Sequence, residues 1–414
     1  MAGPARPSDR LLIAALCLAE VLGMLGISTF PSLLPTLAAT WNLSNADAGW
    51  INGVYFAGLT AAAPLLVATT DRVDARRIYL CATALGGLSL FGFAVFAEGF
   101  WTAMLFRGLG GVALAGSYMP GLKALTDRLS GTREARAVAF YTSSFGIGVS
   151  LSFLVSGALE GVVAWPWVFG LLALGAPISL ALAGWALTAR PAPPAPTAKP
   201  DHRLLDFRPV FRNREALGYI LAYSAHNWEL FALRGWLVAY LAHALHRAPE
   251  EAGGLGVTLI VTVVSLSAVP ASILGGELAL RFGRRRVVGV VMTASAVLAV
   301  TVGLAASAPF PWLVALVLVY GLFVSMDSAA ITTGSVTAAP RAGRGAVMAM
   351  HSFIGFAGAF AGPLAFGLVL DLAAGLGDAA WTVAFAVIAA GLLLGPLALH
   401  LCRRVGVAPA GGLR

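Results

Sequence analysis

Charge is what this chain has least of. Asp, Glu, Lys and Arg make up only 11% of its 414 residues, against about 25% in soluble domains. Lysine is almost absent, occurring only at Lys123 and Lys199. Neither sits in a Gly-x-x-x-x-Gly-Lys-[Ser/Thr] phosphate loop, so direct ATP hydrolysis by this chain is not expected. Cysteine is equally scarce. Cys17, Cys81 and Cys402 lie in or at the ends of apolar stretches, without disulfide or metal spacing, and read as small hydrophobic residues. No cluster of His, Asp or Cys has the spacing of a metal site or an activated nucleophile, so neither an enzyme nor a cofactor or metal site is expected.

What fills the chain instead is apolar sequence. Hydrophobic residues account for 59% of it, and the mean hydropathy is +0.85. Twelve apolar segments can be counted, at about 11–36, 46–69, 78–98, 101–122, 137–159, 166–188, 217–241, 255–279, 286–307, 311–335, 346–369 and 380–401. Each can cross a hydrocarbon core of about 30 Å as a helix. Backbone groups in lipid must be satisfied within their own segment, so the spans are helices and the fold is an all-α membrane protein. The run from Leu11 is too long for a signal-peptide core and lacks a small-residue cleavage site, so it reads as the first membrane helix.

The net charge of +8 is better explained by the membrane than by nucleic acid, because cytoplasmic loops collect Lys and Arg. With the N-terminus inside, 24 of the 27 basic residues fall in cytoplasmic pieces. Arg247 is outside, and Arg107 and Arg234 are within the membrane. The expectation is a multi-pass protein of the cell (inner) membrane, working as a monomer in the lipid bilayer, with both termini cytoplasmic. Between the sixth and seventh segments lies a linker, 189–215, whose first part is Pro-rich and reads as an extended spacer. Asp206 to Glu215 is mixed in charge and reads as a short surface helix. The chain thus divides into a six-helix half, 1–188, the linker, and a second six-helix half, 216–414.

The halves repeat. A shift of 209 residues places Glu20 on Glu229, Gly26 on Gly235, Arg72 on Arg281, Arg76 on Arg285, Arg77 on Arg286, Ser143 on Ser352 and Gly146 on Gly355. One offset held across five segments is the mark of an internal repeat, common in secondary transporters.

Between the second and third segments the chain reads Asp71-Arg72-Val73-Asp74-Ala75-Arg76-Arg77. Between the eighth and ninth it reads Gly276-Glu277-Leu278-Ala279-Leu280-Arg281-Phe282-Gly283-Arg284-Arg285. Both resemble the G-x-x-x-D-R-x-G-R-R loop of the major facilitator superfamily. The first copy has Val67 and Asp74 where glycines are usual, and the second has Leu280 in place of the acid. With twelve spans and a central linker, the resemblance covers nearly the whole chain. It implies two pseudo-symmetric six-helix halves rocking about a central site. It also implies a cytoplasmic gate in which Asp71, Arg72, Arg76, Arg77, Gly276, Arg281, Gly283, Arg284 and Arg285 take part. Leu280 implies a weaker latch in the second half. Arg107-Gly-Leu-Gly-Gly111 is similar to the R-x-x-x-G pattern of proton-linked members, where the Arg is associated with proton transfer. Helix 11 carries a small-residue face, Gly355, Gly358, Gly362 and Pro363. It faintly resembles an antiporter motif that belongs in helix 5, so antiport is not inferred from it.

The polar groups expected at depth are Glu20, Glu229, Asp327, Arg107, Arg234, His226 and His351. Each charge at the membrane centre costs at least about 2.5 kcal/mol. Two arginines can neutralise only two of three carboxylates, leaving one acid to be protonated, to face water or to bind a cation. Asn227 adjoins His226, and the shift of 209 pairs Tyr118 with Asp327. In the resembled family, helices 1, 4, 7 and 10 line the central cavity, so these residues are the candidate substrate and proton site. Arg234 lies about 140° round the helix from Glu229, so it needs a break in the helix, or an acid on another one, to find a partner. Each group also has a purely structural reading. Glu20 suits an interhelical tie, Arg107 a set of backbone carbonyls, and Asp327 the neighbouring Ser325, Ser328, Thr332 and Thr333. Tyr118 and Tyr141 suit packing as well as a substrate wall. Glu98, Glu160 and Asp371 sit at segment ends and read as solvated.

The sequence therefore points to a secondary active transporter of a small solute. Proton-coupled export of a drug or metabolite leads, proton-coupled uptake of a small polar or anionic solute comes next, and a passive uniporter follows. A membrane sensor with a carrier fold is the non-transport alternative.

Overall fold

The computed structural model describes residues 8–189, 207–247, 256–339 and 344–402, and among them the regular structure is entirely helical. The first span is broken into α1 (Asp9–Gly23), α2 (Thr29–Ser32) and α3 (Leu34–Trp41). Four unbroken helices follow, α4 (Asn45–Thr69), α5 (Ala75–Phe96), α6 (Phe100–Thr126) and α7 (Thr132–Glu160). The sixth span is made by α8 (Trp165–Ala173) and α9 (Gly175–Ala186). A short helix, α10 (Arg208–Arg212), precedes α11 (Arg214–Arg247), α12 (Val257–Phe282) and α13 (Arg284–Leu304). The tenth span is α14 (Phe310–Met326) and α15 (Ser328–Ala338), and α16 (Arg344–Leu372) and α17 (Ala379–Leu401) complete the twelve. The short helix expected in 206–215 is α10. The Pro-rich part of the linker lies outside the described residues, as do Arg6, Arg341, Arg403, Arg404 and Arg414.

Of the described helices, nine are long and apolar enough to cross a bilayer, with each broken pair of the sixth and tenth spans taken as one. The three remaining spans are the broken first one, α6 and α11, and these are the ones that hold Glu20, Arg107 and the His226–Glu229–Arg234 group.

The break in the first span follows from Gly23, Gly26, Pro31 and Pro35, which weaken or interrupt the helical ladder. It frees backbone groups that lipid cannot satisfy. Neighbouring helices supply the partners. Ser152 of α7 accepts from Ser28 N at 2.9 Å and donates to Leu25 O at 2.6 Å. Arg107 of α6 donates to Ile27 O at 3.1 Å.

The two halves meet along two helix pairs, α4 with α16 and α7 with α12. Small residues let the backbones touch. A Cβ on Gly49 would stand 2.7 Å from Pro363 O, one on Gly53 2.6 Å from Phe360 O, and one on Gly157 1.9 Å from Thr258 Oγ1. Phe56 packs on Phe231 with ring centres 4.1 Å apart, and Asn52 Nδ2 donates to Gly235 O at 3.4 Å. These contacts run from the bundle's middle to the end where α3 turns into α4, here termed the distal end. There Asp371, at the end of α16, caps the start of α4 across the interface. Its carboxylate accepts from Asn45 N at 3.0 Å, Asn45 Nδ2 at 2.9 Å and Ala46 N at 2.7 Å. Asp371 is therefore not a solvated end residue. It satisfies the orphan N–H groups of a helix N-terminus, where negative charge is favoured.

The opposite, terminal end carries the two basic loops. Arg76 donates to Leu187 O at 2.6 Å, and its repeat mate Arg285 donates to Leu399 O at 3.3 Å. Each thus ties its loop to the C-terminal carbonyls of the last helix of its own half, where a cation is favoured. Arg284 donates to Thr337 Oγ1 at 2.9 Å, and Gly283 takes φ +89° at the turn into α13, which glycine tolerates without strain. Asp71, Arg72, Arg77 and Arg281 are exposed, and Gly276 is half-buried against Ala329. The acid that works structurally in the first loop is Asp74, which caps α5 through Arg76 N and lies 3.8 Å from Arg128. Among the described residues, the ion pairs found at this end, Asp9–Arg133, Asp74–Arg128, Lys123–Asp127 and Glu215–Arg285, all stay within one half.

Gly53→Val should hold the distal end apart, because the added methyls meet backbone, and Asp371→Asn should loosen it by about 1 kcal/mol. Spin labels on the exposed Asn42 and Gly375 would read the separation. The distance distribution should lengthen strongly in the first variant and partly in the second; distributions identical to the parent would rule out this closure.

Candidate functional site

In the first half the site is built on α1. Its buried residues Leu12, Ala15, Leu16, Ala19 and Glu20 recur at intervals of three and four, which place Glu20 on the face turned into the bundle. Glu20 is 2% exposed. Tyr141 of α7 donates its hydroxyl to Oε2 at 2.7 Å, and Oε1 has no partner among the described residues. Arg107 is not its counter-ion. No carboxylate among the described residues lies within ion-pair distance of Arg107. Besides Ile27 O, its guanidinium meets the faces of Tyr55, at 4.4 Å from the ring centre, and Phe30, at 5.7 Å, both favourable for a desolvated cation. Its Nε is buried without a partner. Glu20 and Arg107 line one cavity within this half, together with Tyr55, Ser89 and Ser117, holding about 700 Å³ of empty space with its mouth included.

In the second half Glu229, 1% exposed, is again met by hydroxyls. Ser295 of α13 donates to Oε1 at 2.8 Å and Tyr320 of α14 at 3.0 Å. His226, one turn earlier on α11, turns to Asp327, which sits at the break between α14 and α15. Nδ1 and Oδ1 are 2.7 Å apart. Their angle does not make a hydrogen bond, so the contact is one of charge and proximity. Tyr223 lies between His226 and His351 as a stack, with ring centres 5.9 Å and 3.9 Å away, and His351 Nδ1 meets Ser335 Oγ at 2.9 Å. Asn227 is buried where α11 packs on α16, its Nδ2 without a partner among the described residues.

Arg234 differs from the expectation that it pairs with an acid. α11 is unbroken from Arg214 to Arg247, so Glu229 stays on another face. No carboxylate among the described residues reaches it. Its guanidinium leans over Phe231, 5.6 Å from the ring centre.

The structure thus brings Glu20 and Arg107 to one cavity and His226 to Asp327. It leaves Glu229 with hydroxyls, Arg234 without an acid, and His351 at the far side of a ring stack. Tyr118 stacks near Tyr141, at 6.0 Å between ring centres, and touches no acid. The partners missing from the sequence reading are Tyr141, Ser295 and Tyr320. The repeat could not supply them, because the shift of 209 carries Tyr141 to Met350 and Gly111 to Tyr320. The two acids share a register, but different spans cap them.

The geometry is that of three buried acids and, among the described residues, two arginines without a carboxylate partner in a pair of six-helix units. The family model described as Major Facilitator Superfamily matches residues 16–253 and 221–411. The chain belongs to this superfamily. It is a multi-pass membrane protein, and relatives that it matches are named as transporters. Monocarboxylate transporter 11 of Homo sapiens is 30% identical over 256 residues, covering 59% of this chain and 50% of that protein. A putative metabolite transport protein of Haemophilus influenzae is 22% identical over 273 residues, covering 61% of this chain and 63% of that one. The matches span between 30% and 63% of the length of the curated relatives. The crystal structure of the nucleoside transporter NupG superposes with a TM-score of 0.75 at 17% identity, covering 95% of this chain and 98% of that chain, and so shares the major facilitator fold.

Removing a hydroxyl should test the acid caps. Tyr141→Phe strips Glu20 of its one partner and should destabilise by about 1–3 kcal/mol. Tyr320→Phe leaves Glu229 its serine and should cost less. Thermal unfolding in detergent would show this order, and adding Glu20→Gln should recover part of the Tyr141→Phe loss.

Proposed function

We propose that the protein is a proton-coupled secondary carrier that moves a small metabolite by alternating access. The observation that carries this reading is the matched pair of buried acids, each held by hydroxyls and neither fixed by a cation. A carboxyl held by hydroxyls can gain or lose a proton without breaking an ion pair, since a hydroxyl donates to the charged form and accepts from the neutral one. One proton crossing 100 mV supplies about 2.3 kcal/mol, which drives a gradient of roughly 50-fold at about 1.36 kcal/mol per decade.

The positive-inside distribution supports a cytoplasmic side at the end that carries Asp9 and Leu401, in a cell inner membrane. The structure then is the state closed to the outside, sealed by Asp371 and the glycines of α4. Export by proton counterflow uses the same acids. The two arginines without carboxylate partners favour the other proton-coupled reading, in which a small anionic solute and protons move together. Relatives named for monocarboxylates and for metabolite transport support a small organic solute.

In proteoliposomes, Glu20→Gln and Glu229→Gln should each reduce gradient-driven flux at least about tenfold while leaving counterflow exchange in place. Each glutamine keeps the shape and loses the proton site. Unchanged gradient-driven flux in both variants would sink the proton reading.

A further inference from the structure

The hydroxyls beside the two matched acids donate in opposite senses. In the second half Ser295 and Tyr320 donate their hydrogens to Glu229. In the first half, hydroxyls that line the cavity of Glu20 donate to main chain instead. Thr83 donates to Tyr79 O at 2.9 Å, Ser117 to Leu114 O at 3.4 Å and Ser179 to Ala19 O at 2.8 Å. A hydroxyl has one hydrogen and two lone pairs. Once the hydrogen is given to a carbonyl, only lone pairs remain for what enters the cavity. Ser179 also meets the Tyr79 hydroxyl at 3.4 Å, which engages at most one of its two.

Glu20 adds a charge to this set. It is 2% exposed, Tyr141 holds its Oε2, and Oε1 has no partner among the described residues. Ser117 and Ser179 stand beside it. Tyr141, which donates to Glu20, also meets Ser117 O at 3.4 Å. Ser179 holds the carbonyl of Ala19, the residue before Glu20. Gly23, three residues further along α1 and so on the same face, keeps this corner open. A Cβ there would stand 3.9 Å from Ser179 Oγ. As room open to a water-sized group, the cavity measures about 70 Å³, several times the roughly 10–15 Å³ that one water needs and short of the roughly 150 Å³ that holds benzene. It suits an ion with part of its water shell.

A carboxylate, hydroxyl lone pairs and space for water are the donor set of a hard cation. Besides Arg107, the titratable groups near Glu20 are Cys17, Tyr55, Tyr79, Tyr118 and Tyr141, all of types that are neutral near pH 7. One carboxylate offsets one unit of charge, and Arg107 in the same cavity disfavours a second. Arg107 is turned to Ile27 O and to the faces of Tyr55 and Phe30. Its charge keeps a cation at Glu20 loosely held, as an ion that must leave again has to be. We propose that Glu20 Oε1, the hydroxyl oxygens of Ser117 and Ser179, and water in the cavity bind a sodium ion within the first half. The assignment rests on the carrier reading above and adds a second ion at an acid which that reading gives to the proton. Sodium and the proton then exclude each other at Glu20. Glu229, to which the neighbouring hydroxyls donate, keeps to the proton.

Purified protein in detergent at mildly alkaline pH, with choline chloride holding the ionic strength constant, tests this. Sodium chloride should raise the melting temperature of the parent to a plateau, and potassium chloride should not. Glu20→Gln should weaken sodium binding about tenfold or more, the range for losing a charged partner. Ser117→Ala, which leaves the carboxylate in place, should weaken it severalfold and covers the case in which the glutamine variant does not fold. The proposal is overturned if sodium gives no shift, if potassium stabilises as well as sodium, or if Glu20→Gln, or Ser117→Ala in its place, responds like the parent. Flux in proteoliposomes separates this result from the carrier reading. Sodium binding in a protein without gradient-driven flux would keep the site and remove that reading. Proton-driven flux that depends on Glu20, with no sodium binding, would remove the site and leave the carrier standing.

Discussion

A backbone carbonyl inside a bilayer has no water to turn to, and this constraint organises the first half of the molecule. The first span bends at Gly26 to Ser28 and leaves Leu25 O, Ile27 O and Ser28 N outside the ladder. Ser152 takes two of these and Arg107 the third. The bend is therefore possible only with α6 and α7 packed against it, and the arginine is fixed in place by the bend. Arg107 is structural in its hydrogen bond, and the same fixation brings it to the cavity of Glu20. The two readings of this residue are parts of one arrangement.

The repeat governs the frame more than the chemistry. Arg76 and Arg285 do the same thing at the same place in each half, closing the last helix of their own unit. Glu20 and Glu229 likewise share a register and a degree of burial. Their surroundings then diverge. The first acid takes one tyrosine from the fifth span, and the second takes a serine from the ninth and a tyrosine from the tenth. The second half adds His226 and Asp327 at a helix break, where the first half has Tyr118 within an unbroken helix. The repeated backbone thus carries two unlike sets of polar groups, one in each half.

Much of the frame was legible in the residues. Long apolar runs, the spread of basic residues and the constant offset of 209 each follow from the bilayer's thickness, its charge asymmetry and the repetition of a folding unit. The buried acids were legible because a carboxyl in an apolar run is costly wherever it points. Their partners were not. Tyrosine and serine are ordinary in membrane helices, and which of them faces an acid depends on helix rotation and packing. The same is true of Asp371. At the end of an apolar segment it looked solvated, and only the arrival of α4 from 326 residues away makes it a cap. For Arg234 the charge count suggested an ion pair. Helix continuity decided otherwise, since an unbroken α11 keeps Glu229 on another face.

The joint between the halves is made largely of main chain. Gly49, Gly53 and Gly367 lie against carbonyl oxygens of the opposing helix, and Asp371 grips amide groups of α4 as much as the side chain of Asn45. A surface of this sort has few rotamers to rearrange when it parts and few to find again when it closes. Parting such a surface costs little side-chain entropy. The seal can also outlive sequence drift around it, because a carboxylate that recognises N–H groups makes little demand on which residues carry them.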